Sequence, residues 1–268
     1  MEIKTILFPT DFSERAQLAL KEAIYFSQLA GAHLIIFHVY HHPVGEERYH
    51  SLEALEKDID LNFEALQKAY PALAKVSHSF RRELGISVDT IIETAEKDEI
   101  DLIIMATKGA RGFGELWGSK TASIVQKVKI PIIVLPNNSS LQNVKTIGLA
   151  YDYSKESSSD TLHWLVNASE LLKTDVAVIT VDMKEDALNE HKKAVKKQVI
   201  NQLEDIPYSF NYSHHEDVEE GLMSFCHEND IGLISIVPHT YNFIEELFHE
   251  SLTQKMVFHS DIPLLVIK

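Results

Sequence analysis
Glycine is sparse along this chain except at one place. Of its ten glycines, four fall between positions 109 and 118: Gly109, Gly112, Gly114 and Gly118. The segment runs from Met105 and Ala106 to Ser119, Lys120 and Thr121, between an apolar run and a helical stretch. Glycine admits positive φ and lets backbone approach a ligand closely. Free N–H groups in such a loop, and at the start of the helix after it, form a nest for an anion. Ser119 and Thr121 add hydroxyl donors, while Lys108, Arg111 and Lys120 add positive charge. Phosphate binding is the chemistry expected here. The loop is not a P-loop, because Ser119 precedes Lys120 where that motif requires glycine. Nor is it G-x-G-x-x-G, since Gly112 and Gly114 are followed by Trp117.

Asp11 and Ser13 form a second candidate at the end of the first apolar run, suited to positioning a ligand or capping a helix. No catalytic set accompanies them. The nucleotidyl-transfer signatures H-x-G-H and Ser-Gly-Gly-x-Asp-Ser are absent, and no residue is marked to position water or serve as an arginine finger. The expectation is a binding protein, with at most slow ATP hydrolysis. Histidine is abundant, at fourteen, and His38, His41, His42 and His50 cluster, as do His214, His215 and His239. Imidazoles so placed are candidate zinc or nickel ligands. No local set has a metal-finger pattern, and polar loops lining a cleft are the plainer reading. Trp117, Trp164 and Cys226 read as packing residues, and so does the stripe Leu52, Leu55, Ile59, Phe63, Leu66.

The elements that must carry these residues follow from composition and repeats. The chain has 268 residues, 45% hydrophobic and 24% charged, an ordinary globular mix. A lone cysteine excludes an intramolecular disulfide. No apolar run reaches the roughly 18 residues of a membrane helix. Pro9 and Asp11 interrupt the apolar start, which is unlike a signal peptide, so a cytoplasmic protein without membrane contact is expected. The net charge of −15 argues against a nucleic-acid surface. All five arginines lie in the first half, at Arg15, Arg48, Arg81, Arg82 and Arg111, which favours that half for an anion.

The chain is written twice. Lys4-Thr-Ile-Leu-Phe8 returns as Lys145-Thr-Ile-Gly-Leu149, and Asp11-Phe-Ser13 as Asp152-Tyr-Ser154. Leu34 to Val39 matches Val176 to Val181, Ile100 to Met105 matches Ile231 to Ile236, and Ile130-Pro131 matches Ile262-Pro263. The turn-rich stretch Pro136 to Ser140 joins two copies, 1–137 and 142–268. In the first, strands are expected at about 3–8, 33–39, 77–82, 101–106 and 131–135. Helices are expected from Ser13 to Ala30 and at about 50–69, 88–99 and 119–129. The second copy repeats the pattern, with strands at about 145–150, 175–181, 208–213, 231–236 and 263–267 and helices at about 156–173, 185–203, 217–229 and 243–259. Alternation of this kind predicts an α/β fold of two tandem doubly wound, Rossmann-like domains. Each is a five-stranded parallel sheet flanked by helices. Ligands in such sheets bind at the carboxyl ends of strands, where strand order reverses.

Together these residues resemble the universal stress protein (UspA-like) family. The resemblance rests on Pro9-Thr-Asp11-Phe-Ser13, His38-Val39, the Gly109 to Ser119 loop and Ile130-Pro131, and covers the chain as two copies. It implies an adenine nucleotide alpha hydrolase-like fold, a stress-response role and ATP, ADP or AMP as ligand. It further implies that Asp11 meets the ribose and the Val39 backbone reads adenine, with Pro9 and Met105 packed nearby. Gly109, Gly118, Ser119 and Lys120 would hold phosphates. Two features depart from the family's G-x2-G-x9-G-[S/T] pattern: Ala106 stands for the first glycine, and eight residues rather than nine separate Gly109 from Gly118. In the second copy the loop has no glycine and Glu250 takes the place of Gly118, so no nucleotide is expected there. Asp152 is read as a helix cap or a relic. The two copies are expected to pack as a pseudo-dimer through their last strands, with further homodimerisation open. The alternative is a non-nucleotide module holding a metal or other small ligand in the cleft.

Overall fold
The computed structural model describes residues 2–41, 51–107, 119–153, 159–181, 189–237 and 262–268. Among the described residues, each expected apolar run is a strand and each expected amphipathic stretch a helix. The first half contributes β1 (Thr5–Pro9), α1 (Glu14–Ala30), β2 (His33–Tyr40), α2 (Leu52–Ala69), β3 (His78–Leu84), α3 (Ser87–Lys97), β4 (Leu102–Ala106), α4 (Ser119–Lys127) and β5 (Ile132–Leu135). The second contributes β6 (Thr146–Ala150), α5 (Ser159–Leu172), β7 (Asp175–Val181), α6 (Glu190–Leu203), β8 (Tyr208–Ser213), α7 (Val218–Glu228), β9 (Leu233–Ile236) and β10 (Leu264–Val266). A 3-10 turn over Pro71–Lys75, absent from the sequence expectation, links α2 to β3. The helix expected at 243–259 lies outside the described residues.

The strands form one sheet in the order β3-β2-β1-β4-β5-β10-β9-β6-β7-β8. Neighbours run parallel except at the centre, where β5 and β10 are antiparallel with Ile132↔Val266, Ile133↔Leu265 and Val134↔Leu264 in register. Each half therefore has five parallel strands in the same order, and their last strands meet. In each half the chain leaves the first strand on one side for the second and third, then crosses to the other side for the fourth and fifth. The reversal falls between β1 and β4 in one half and between β6 and β9 in the other.

Alternation along buried strands divides the core into two layers. Ile6 and Phe8 of β1 belong to the layer that also holds Leu20 of α1, Phe63 of α2, Leu165 of α5 and Val199 of α6. Leu7 belongs to the other, with Ile91 of α3, Ile124 of α4 and Leu222 and Cys226 of α7. Helices on both faces of a parallel sheet are the doubly wound arrangement. The stripe on α2 proves to be core: Ile59, Phe63 and Leu66 are buried. The edge strands β3 and β8 have no fully buried residue, in keeping with their polar sequences.

Local signals set the ends of the helices. Ser13 caps α1 by accepting from Ala16 N at 3.3 Å. Gly31, left-handed at φ 65°, stops it and donates back to Ser27 O. Phe12 (φ 59°) and Tyr153 (φ 57°) are left-handed at matching positions of the two copies, although neither is glycine. Non-glycine residues hold that conformation only where their surroundings fix it.

Candidate functional site
The strand-order reversal between β1 and β4 brings two chain segments to one crevice. One is the bend after β1. There Thr10 N donates to Phe37 O (2.8 Å), which continues the pairing with β2 for one more residue. Phe12 N donates to Thr10 Oγ1 (3.1 Å), Ser13 N to Asp11 Oδ1 (3.0 Å), and Gln17 Nε2 to Phe12 O (3.0 Å). Asp11 thus stands on a bend fixed from both sides, with its residue exposed. Partial desolvation raises its pKa, but hydrogen bonds from Ser13 and the charge of Arg15 outweigh this and leave the carboxyl below its usual value. It is an anionic acceptor at neutral pH.

His38 closes the bend from β2. Its Nδ1 lies 2.7 Å from Thr10 O, and a carbonyl only accepts, so Nδ1 carries the hydrogen. The imidazole also lies against the Phe12 ring, with centroids 4.6 Å apart. Burial holds its pKa below the ordinary imidazole value, and the charge of Lys120 adds to this against the opposing effects of Thr10 and Asp11.

The second segment leaves β4. Met105 is buried, Ala106 half-buried, and Thr107 N donates to Leu135 O at 3.0 Å. Thr107 is 6% exposed, and its hydroxyl has no partner among the described residues. Such a group is costly unless something satisfies it. Gly109, Gly112 and Gly118 lie outside the described residues, as do Lys108 and Arg111. The chain is described again at α4, whose first residue is Ser119. Lys120 is exposed, reaches Ser87 Oγ of α3 at 3.4 Å, and acts electrostatically on His38. Thr121 is buried at 6% exposure. Pro9 and Val39 are half-buried at the ends of β1 and β2. Asp11 and Lys120 therefore both act on His38, at the carboxyl ends of β1 and β2 and by the positive end of α4.

Two arginines that favoured the first half for anions are otherwise engaged. Arg82 pairs with Glu56 (3.1 Å) and Asp60 (3.1 Å) of α2, and Glu56 also accepts from the Tyr40 hydroxyl. Arg81 pairs with Asp98 and with Glu83 (2.8 Å). Apart from Arg81–Glu83, these contacts join residues 16 or more apart in sequence, and no local pattern announced them.

The second half keeps the bend but closes it. Tyr151 and Tyr153, at the positions of Thr10 and Phe12, are each 0% exposed, and their rings meet edge-on. Asp152 is half-buried at the end of β6. Residues 154–158 and the loop containing Glu250 lie outside the described residues. Of the expected histidine clusters, His42, His50 and His239 do too, and His41 is exposed. Among the described residues no group of three His, Cys, Asp or Glu side chains could hold a metal ion. No helix among them is long and apolar enough to cross a membrane.

Comparison with known proteins follows the same division. A universal stress protein of Methanocaldococcus jannaschii is 29% identical over 157 residues, covering 51% of this chain and 97% of that protein. One from Thermus aquaticus is 30% identical over 138 residues, covering 49% of this chain and 98% of that protein. The crystal structure of a universal stress protein from Archaeoglobus fulgidus superposes with a TM-score of 0.76 at 18% identity, covering 100% of this chain and 99% of that one. This last likeness extends the fold over both halves. The profile of the Universal stress protein family matches residues 2–136, the half that carries Asp11, His38 and the glycine loop, and on that match the chain belongs to this family.

Proposed function
We propose that the first half, residues 1–137, binds an adenine nucleotide, ATP or ADP, in the crevice between β1 and β4. The second half, 142–268, is a companion domain with no nucleotide of its own. The observation that carries this reading is that Asp11 and Lys120, the second residue of α4, both act on His38 at a strand-order reversal. Asp11 is an exposed carboxylate fixed on its bend, able to accept from ribose hydroxyls. Lys120 and the N–H groups opening α4 suit phosphates. The Thr107 hydroxyl, just after β4, has no partner among the described residues. Ala106 adds a methyl group where the family pattern has hydrogen, and that change removes no backbone N–H.

His38 is held on the Thr10 carbonyl rather than on a nucleophile, and we read the bound nucleotide as a signal rather than as fuel. The protein works in the cytoplasmic stress response by exposing or hiding a contact surface when ligand binds. The test is to purify the protein without added nucleotide, denature it and weigh the released small molecules. ATP or ADP near one per chain is the expected result. A stoichiometric metal or a different ligand would overturn the reading in favour of a non-nucleotide module. Asp11→Asn keeps the acceptor for Ser13 N but removes the charge. It is expected to weaken ADP binding about tenfold in calorimetry, corresponding to about 1.4 kcal/mol, a typical loss for a charge-assisted hydrogen bond.

A further inference from the structure
The two copies hold their bends with the same bond made by different residues. In the first half His38 Nδ1 donates to Thr10 O at 2.7 Å. In the second, Thr180 Oγ1 donates to Tyr151 O at 2.8 Å. Strand register makes these positions equivalent: Pro9 pairs with Phe37, and Ala150 with Ile179, one residue earlier in each strand. The preceding bond matches too, since Thr10 N donates to Phe37 O and Tyr151 N to Ile179 O (3.0 Å). The carbonyl in question belongs to the peptide whose nitrogen is that of Asp11. A donor on it fixes the plane of that peptide, and hence the direction in which the Asp11 side chain leaves the backbone. The next residue, Phe12, is left-handed, so the bend has a conformation that needs external support. The Phe12 ring lies against the His38 imidazole and, on its other contact, the Phe63 ring at 5.1 Å.

We propose that His38 is a positioning residue of the ligand site: its Nδ1–H pins the Thr10–Asp11 peptide, and so sets Asp11 for the ligand. This rests on the nucleotide reading for the ligand's identity, but not for the pinning itself. A threonine does the same work in the second half, so what the site requires from position 38 is a donor, not an imidazole as such. The neutral ring donating through Nδ1 leaves Nε2 without a proton. Thr10, Asp11 and Lys120 are the groups that act on the ring.

Nitrogen-15 NMR of the imidazoles in the unsubstituted protein near pH 7.5 reads the tautomer directly, and His38 is expected with its hydrogen on Nδ1. Hydrogen on Nε2 would overturn the proposal without reference to any nucleotide. Titration with ADP supplies the second reading. His38→Leu removes the donor and is expected to weaken binding about tenfold. His38→Thr, which imports the second half's own arrangement, is expected to bind within about threefold of the unsubstituted protein. Equal binding by His38→Leu, or no recovery in His38→Thr, refutes the assignment. If the unsubstituted protein ignores ADP, the nucleotide reading falls. The pinning is then judged by the Ser13 amide resonance, which reports its bond to Asp11: a shift in His38→Leu but not in His38→Thr supports it, and no shift refutes it.

Discussion

His38 shows how one side chain ties proton chemistry to backbone geometry. Burial favours its neutral form in the folded protein, so the unfolded chain binds more protons around pH 6. Stability from this residue is therefore complete above the ordinary imidazole value of about 6.5, and is lost as pH falls from there through the lower folded value. With fourteen histidines present, only a difference between proteins isolates it. His38→Thr is expected to flatten the change in urea midpoint between pH 5 and 7, and an unchanged slope would contradict the assignment. Cys226 makes a plainer case. It is fully buried in the layer formed with α7, and burial pushes its thiol up to about 12. A maleimide is expected to label it only after unfolding, because thiolate is the reacting form; rapid labelling of the folded protein would place it elsewhere. At this scale Asp11 was legible because a carboxylate after an apolar run and before a capping serine is a local pattern. The Tyr40–Glu56–Arg82–Asp60 set was not, since it joins β2, α2 and β3, and only strand register brings these together.

Elements whose ends carry their own chemical signal were the most legible. Ser13 and Gly31 bracket α1 as their side-chain and backbone chemistry requires. Ser51 likewise caps α2, accepting from Ala54 N at 3.2 Å. The 3-10 turn at Pro71–Lys75 escaped notice, because a proline after a helix marks only where the helix stops. Left-handed Phe12 escaped as well, since its conformation follows from its neighbours' hydrogen bonds and not from its own preference. Here the capping serine matters to the site as well as to the helix, because Ser13 N is the donor on Asp11. Ser13→Ala removes the Oγ cap and the hydroxyl's bond to Asp11 but keeps that N–H. It is expected to cost about 1 kcal/mol of stability in urea unfolding, with ADP affinity within about threefold because the N–H still holds Asp11. A larger loss of affinity than of stability would mean that the hydroxyl serves the ligand, through Asp11 or directly.

Across the whole molecule, the repeated order of strands was foreseeable from the repeated sequence, whereas a junction through the last strands was implied by the family resemblance. The antiparallel sense of β5 and β10, and the exact pairing within it, are tertiary facts. The seam is fully apolar, with Ile132, Ile133, Val134, Leu264, Leu265 and Val266 all buried, so each half covers a strand edge that the other would otherwise leave open. Other contacts cross the same boundary. Buried Glu22 of α1 accepts from Leu141 N (2.7 Å) just beyond the linker, and Lys268, after β10, donates to Val125 O of α4 (2.5 Å). The Lys268 contact thus ties α4, whose first residue is Ser119, to the end of the second half. Both core layers also run through both halves without a break. Such continuity predicts shared stability. Leu265→Ala deletes buried atoms from β10 alone and is expected to cost about 3 kcal/mol. If the halves unfold as one unit, hydrogen exchange will quicken in β4 as well as in β9, although only β9 touches β10 directly. Faster exchange confined to β9 and its helices would instead mean that the halves are stable separately, and that the seam joins them without coupling them.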